Sequence, residues 1–262
     1  MSSNMLNKFK EVYAYRELLI SLSVKDFKVR YKSASLGFLW TILNPLFLMV
    51  VFSVVFSLIT RIQIEKYPVF LLTGLIPWTF FTLSLSNATH SIIDNANLIK
   101  KVNFPRGVIP LSIILANLYN FLLSLSVLFV FLFFFKVNIG PQIMLLPFVI
   151  LLQIIFLVGI CLLTSSLNVV YRDVKFIVEA ILVAWFYGTP IFYSLDMVPK
   201  KLYFIWILNP MTGIVSIYRE ILFYGRLPDL KLTCLTILIV TGIFLLGINV
   251  FKKNEPTFAD LV

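Results

Sequence analysis

Residues 107–135 read GVIPLSIILANLYNFLLSLSVLFVFLFFF, a run without one Asp, Glu, Lys or Arg. A charge at the centre of a bilayer span costs about 2.5–3.5 kcal/mol on the insertion scale, and a span needs about 20 apolar residues. This run exceeds that length. Six further charge-free runs accompany it: 33–60, 67–93, 137–171, 180–195, 202–218 and 232–251. Composition agrees, with 60% of the 262 residues hydrophobic, 13% charged and a mean hydropathy of +0.97. Soluble domains sit near 45–50% apolar and about 25% charged, and a water-soluble fold of this size has no interior large enough to hide the excess. The expected solvent is lipid, and the expected fold is an all-α integral membrane protein, because a helix satisfies its own backbone in hydrocarbon.

Five of the runs are long enough to span. The end of 137–171, Thr164-Ser165-Ser166-Leu167-Asn168, is polar enough to lie at the surface. Run 180–195 reaches span length if it starts near Phe176, with Glu179 close to the interface. Run 202–218 is broken by Asn209-Pro210 and Gly213, and proline removes a backbone donor and clashes with the preceding turn. Segment 198–226 therefore reads as two short helices that re-enter the outer leaflet, covered by protein or a water-filled cavity. The expectation is one domain, 1–262, with six transmembrane helices at about 35–60, 68–90, 108–135, 141–165, 176–195 and 232–251. Under that topology one face carries fourteen Lys or Arg and the other eight, five of them in 194–231. Six spans put both ends on one side, and the asymmetry favours the cytoplasm for the N-terminus, so the expectation is a multi-pass protein with both termini cytoplasmic.

Residues 1–32 are polar, with seven basic and three acidic residues and no apolar stretch ahead of a small-residue cleavage site. Within 5–22, Leu6, Phe9, Val12, Tyr13, Arg16, Leu19 and Ile20 share one side at a period of 3.6, which reads as an amphipathic helix in the cytoplasmic interface; the alternative is a solvated tail. The net charge of +10 flanks apolar segments and forms no face. It suits an anionic bilayer surface rather than nucleic acid. Trp40, Trp78, Trp185 and Trp206 fall near span ends or in the re-entrant segment, as interfacial anchors do.

Several chemistries have no residues to carry them. No glycine precedes a lysine, so no phosphate-cradling G-x-x-x-x-G-K-[ST] loop exists. The single histidine, His90, ends a span. Cys161 and Cys234 lie in apolar runs without metal-ligand spacing and read as packing residues. No metal site, catalytic residue or resident cofactor is assigned. No charged residue sits mid-run, which argues against a secondary transporter or an intramembrane enzyme. Energy for uphill transport has to come from another chain. Asn44-Pro45 interrupts the first span, either as a packed kink or as a bend beside a water-filled path.

The motifs, taken together, resemble one family. They are Lys28–Pro45 with Arg30-Tyr31-Lys32-Ser33 and Leu36-Gly37-Phe38-Leu39-Trp40; Gly74-Leu75-Ile76-Pro77-Trp78-Thr79-Phe80-Phe81; Asn95 through Arg106; Asn168-Val169-Val170-Tyr171-Arg172-Asp173-Val174; Pro190-Ile191-Phe192-Tyr193; and Leu208-Asn209-Pro210-Met211. In order and spacing the chain resembles the permease subunits of type-2 ABC transporters that export O-antigen, capsule or teichoic acid.

The resemblance implies a homodimer paired with two copies of a nucleotide-binding ATPase subunit, which holds ATP and Mg. It implies a lipid-linked polysaccharide as cargo, O-antigen-like in lipopolysaccharide biosynthesis, and a place in the cytoplasmic (inner) membrane. Teichoic acid, capsule, or a small lipid or drug are alternative cargoes, and a membrane scaffold for glycan-synthesis enzymes is the alternative of another class. The resemblance places a cytoplasmic coupling helix after span two, on about 92–104. Ile92, Ile93, Ala96, Ile99 and Phe104 would give its apolar docking face, and Asp94, Lys100, Lys101 and Arg106 its rim. Arg172 and Asp173 would contact the ATPase or pair with Lys175 and Glu179. The implied translocation path runs along spans one and five, past Phe38, Trp40, Asn44, Pro45, Phe47, Trp185, Tyr187, Phe192 and Tyr193. Aromatic walls suit a sliding sugar chain, because they offer broad contact without fixed hydrogen-bond demands.

Overall fold

The computed structural model describes residues 14–31, 39–59 and 64–262. Every regular element among them is helical: α1 (Arg16–Tyr31), α2 (Leu39–Ser53), α3 (Tyr67–Asp94), α4 (Ala96–Lys101), α5 (Val108–Phe134), α6 (Leu146–Val170), α7 (Val174–Tyr187), α8 (Tyr203–Leu208), α9 (Pro210–Leu222), α10 (Leu230–Asn254) and α11 (Phe258–Leu261). Helices α3, α5, α6 and α10 are long and apolar enough to cross a membrane. Helix α2 continues as a π-helix over Val54–Ile59. Helix α7 has 14 residues, about 21 Å, against a hydrocarbon core of about 30 Å. It stops short of the expected 176–195 because Gly188, Thr189 and Pro190 break it.

Helix α3 is the hub. Every residue from Val69 to Trp78 is buried, as expected of a helix that is apolar all round. Helices α2, α5, α6, α7 and α9 pack around it. Trp78 is accordingly no interfacial anchor: its ring packs in the core on Phe81 and Phe186, 5.3 and 5.6 Å away.

Helix α10 lies against α6 at a pair of glycines. A Cβ at Gly247 would collide with the backbone of Gly159, and one at Gly159 with that of Phe244. Small residues let helix backbones approach this closely in lipid, where dispersion contacts replace the hydrophobic effect between helices.

A second, smaller core closes one end of the bundle. Ile92, Ile99, Phe104, Val108, Ile109, Leu162, Val169, Phe251 and Phe258 form it. The end of α3, all of α4, the start of α5, and the ends of α6 and α10 meet there. The Arg106 amide donates to Glu255 Oε1 at 3.1 Å and Asn254 Nδ2 to Ser166 Oγ at 3.0 Å, tying the C-terminal tail to this end. Residues 5–13 of the expected N-terminal helix lie outside the described residues. Helix α1 runs on to Tyr31 and lies along α5, with Phe27 edge-on to Tyr119 at 6.4 Å. Cys161 is buried, Cys234 is exposed, and His90 stands 3.4 Å from Asp94 one turn on.

Candidate functional site

The end of the bundle opposite the small core carries a tightly bonded hairpin. Helix α7 ends at Tyr187 and leaves carbonyls without helical partners. Arg219, on α9 and only 4% exposed, supplies donors. Its Nη1 donates to the carbonyls of Pro190 and Tyr193, and its Nη2 to that of Ile191. The guanidinium lies over the Phe70 ring, 3.7 Å from its centroid. Tyr67 Oη donates to the Phe192 carbonyl at 2.8 Å. Gly74 makes room, since a Cβ there would lie 3.0 Å from Arg219 Nη2 and 3.3 Å from the Ile191 backbone.

Asn209 closes the other side. Its Oδ1 caps α9 by accepting from the Met211 amide at 2.9 Å, and it also accepts from Trp185 Nε1 at 2.7 Å. Its Nδ2 donates to the Gly188 carbonyl at 3.1 Å and to Thr189 Oγ1 at 2.9 Å. Trp206 Nε1 donates to Tyr193 Oη at 2.6 Å, and that hydroxyl donates to the Tyr187 carbonyl at 2.9 Å. Deeper in, Gln153 Nε2 donates to the Pro77 carbonyl at 2.8 Å, and Tyr218 Oη donates to Gln153 Oε1 at 3.0 Å. Three of the quoted motifs, 74–81, 190–193 and 208–211, thus converge on one place.

The path candidates fall into two groups. Trp185, Tyr187, Phe192 and Tyr193 come together at the hairpin. Phe192 stacks on Phe56 at 4.6 Å and meets Tyr193 edge-on at 4.9 Å. Tyr187 is 62% exposed. Trp40, Asn44 and Phe47 stand exposed on an open stripe of α2, with Phe47 at 68%. Leu39, Leu43, Val50, Val51 and Val54 continue this stripe. Pro45 faces inward and is buried, which places it in packing rather than on that stripe. Phe38 lies outside the described residues.

At the small-core end the expected coupling segment is a turn at Asn95 followed by α4. Ile92, Ile99 and Phe104 are buried inside the chain's own core, so they do not offer a docking face. A short helix must bury its apolar side, and the chain itself supplies the partner. Ile93 and Ala96 are half-buried, as is Arg106. The outward side is Asp94, Asn97, Lys100, Lys101, Val102 and Asn103. Arg172 and Asp173 are exposed at the α6–α7 turn. Among the described residues no ion pair joins them to Lys175 or Glu179. Asn168 shapes that turn, its Oδ1 accepting from the Lys175 amide at 3.1 Å.

Arg219 and Gln153 escaped the sequence reading. Arg219 counted only as one of five basic residues in 194–231, on the face opposite the termini. No local signal marks its burial, because α9 also carries Thr212, Ser216 and Glu220, and only the packing of α9 against α3 decides which way Arg219 faces. Gln153 hid inside a charge-free run, where a lone amide looks neutral.

Among the described residues, an all-helical bundle with four helices of bilayer length is the architecture of a multi-pass membrane protein. Residues 17–223 match the ABC-2 type transporter family, and the chain belongs to it. The chain is 38% identical over 249 residues to the O-antigen export system permease protein RfbA of Klebsiella pneumoniae, covering 94% of this chain and 95% of that protein. It is 33% identical over 260 residues to RfbA of Myxococcus xanthus, covering 98% and 100%. The polysialic acid transport protein KpsM of Escherichia coli is more distant, at 25% over 244 residues, 90% of this chain and 92% of that protein. The chain is a transport subunit, not an enzyme, and its family implies an ATPase partner.

Proposed function

We propose that this protein is the permease of an ATP-driven exporter that moves a lipid-linked, O-antigen-like polysaccharide from the cytoplasmic side across the inner membrane. The observation that carries the substrate class is the likeness, over 94% of the chain, to an O-antigen export permease. The working unit is a homodimer with two ATPase subunits, which bind the ATP and Mg. The open stripe of α2 and the exposed side of α7 are the surfaces left for a second copy and a polymer between them.

Six crossings suit this arrangement. The ends of α3, α6 and α10 and the starts of α5 and α7 lie together, and this basic end is the cytoplasmic one. There α4 and the Val102 that follows it act as the coupling element, through Lys100, Lys101 and Val102 rather than the buried Ile92 and Ile99. The hairpin of α8 and α9 then lies at the outer face.

The test is reconstitution in vesicles of the permease with its partner ATPase. ATP-dependent transfer of lipid-linked O-antigen to the far side is the expected result. Substrate-independent behaviour, or transfer without the ATPase, would overturn the reading. The likeness to KpsM favours an acidic capsule-type polymer as the second reading, and the same vesicles loaded with polysialic acid separate the two.

A further inference from the structure

A buried arginine at a membrane protein's helix break needs a reason, because an ionisable residue at such depth is costly and rare. Among the described residues no carboxylate accepts from Arg219. Three backbone carbonyls and one aromatic face surround it instead. Those carbonyls belong to Pro190, Ile191 and Tyr193, and Tyr67 holds the remaining one, that of Phe192, at 2.8 Å. Every carbonyl of the stretch 190–193 is therefore held by a side chain from α9 or α3. The stretch carries the two aromatics, Phe192 and Tyr193, that stand where α2 and α7 meet. Phe192 stacks on Phe56 and Tyr193 bonds to Trp206.

We propose that Arg219 is a positioning residue for export: its guanidinium fork fixes the backbone of 190–193 so that Phe192 and Tyr193 form a rigid rim at the outer end of the α2–α7 face. A lysine cannot do this, because an ammonium is a point charge on a flexible stem, whereas the planar fork addresses several acceptors at once. Phe70 completes the seat by covering the cation's face. Gly74 is what allows α3 to come close enough. The residue touches no polymer itself. It acts through the two aromatics, and that role rests on the export reading given above.

Two readouts test this. Polymer moved per ATP hydrolysed is measured for Arg219→Lys, Arg219→Met and Tyr67→Phe in the full chain with its ATPase. Acrylamide quenching of tryptophan is measured for the same variants in a Trp40→Phe background, where Trp78 is buried in the core and Trp185 and Trp206 report the hairpin. With charged hydrogen bonds lost, Arg219→Met is expected to lower the polymer-to-ATP ratio about tenfold. Arg219→Lys, keeping the charge but not the fork, should lower it about threefold. Both should raise quenching about twofold, and Tyr67→Phe should do so more weakly, in line with one neutral hydrogen bond.

Wild-type ratios and wild-type quenching in Arg219→Lys and Tyr67→Phe would overturn the proposal. If Arg219→Met does not accumulate in the membrane, those two milder variants decide. If the unaltered chain moves no polymer, the export reading fails while quenching still decides whether Arg219 holds the rim.

Discussion

Gln153 has partners on two other helices, the Pro77 carbonyl on α3 and the Tyr218 hydroxyl on α9. All three residues are buried, so no water stands ready to replace a lost bond. Leaving a buried polar group without its partner costs about 1–3 kcal/mol. Gln153→Leu is expected to destabilise the detergent-solubilised protein by that amount in an unfolding titration. Adding Tyr218→Phe should recover part of the loss, because it removes the stranded hydroxyl. At Gly247 the argument is steric. A side chain there meets the Gly159 backbone, which cannot swing away as a rotamer can. Gly247→Val is expected to cost about 1–3 kcal/mol through overpacking and to lower the melting temperature by several degrees, whereas Gly242→Val, with open space around its Cβ, should be close to neutral.

Among the elements, α4 shows how an apolar pattern divides between inside and outside. From the sequence, Ile92, Ile93 and Ile99 look like a sticky surface for a partner, so Ile93→Asp or Ile99→Asp would be expected to uncouple the ATPase and spare insertion. In the fold Ile99 is buried with Phe104 and Phe258, and a buried carboxylate without a partner is costly. Ile99→Asp is therefore expected to fail at folding, seen as lost accumulation in the membrane. The Lys100→Glu and Lys101→Glu pair sits on the exposed side and should leave accumulation unchanged. It should also weaken co-purification with the ATPase, by about tenfold if the two charges meet acidic partners. Helix α7 makes the complementary point. Only Val178 and Leu182 are buried along it, so most of its surface waits for lipid or a second copy.

At the scale of the whole molecule the decisive question is which end faces which compartment. The small-core end carries Lys100, Lys101, Arg106, Arg172, Lys252 and Lys253, and an excess of Lys and Arg marks the cytoplasmic side. Asn97 and Lys201 are exposed at opposite ends. In a background without Cys161 and Cys234, a membrane-impermeant maleimide should label Lys201→Cys in intact spheroplasts and Asn97→Cys only after permeabilisation. The opposite pattern would invert the topology.

The membrane class was legible in the sequence, because the rule behind it is local: a charge inside a span is penalised wherever the span packs, and four of the runs coincide with the four helices long and apolar enough to cross a membrane. The break at Asn209-Pro210 was legible for the same reason, since proline acts on its own helix. What only the tertiary structure decided was the direction each side chain faces. Ile99 turns inward because Phe258, more than 150 residues away, comes back to cover it. Arg219 became the centre of the hairpin because the stretch after the end of α7, and a glycine and an aromatic ring of α3, close around it. Partners that far apart in the chain leave no mark on local periodicity, so burial of polar and apolar residues alike had to be seen in three dimensions.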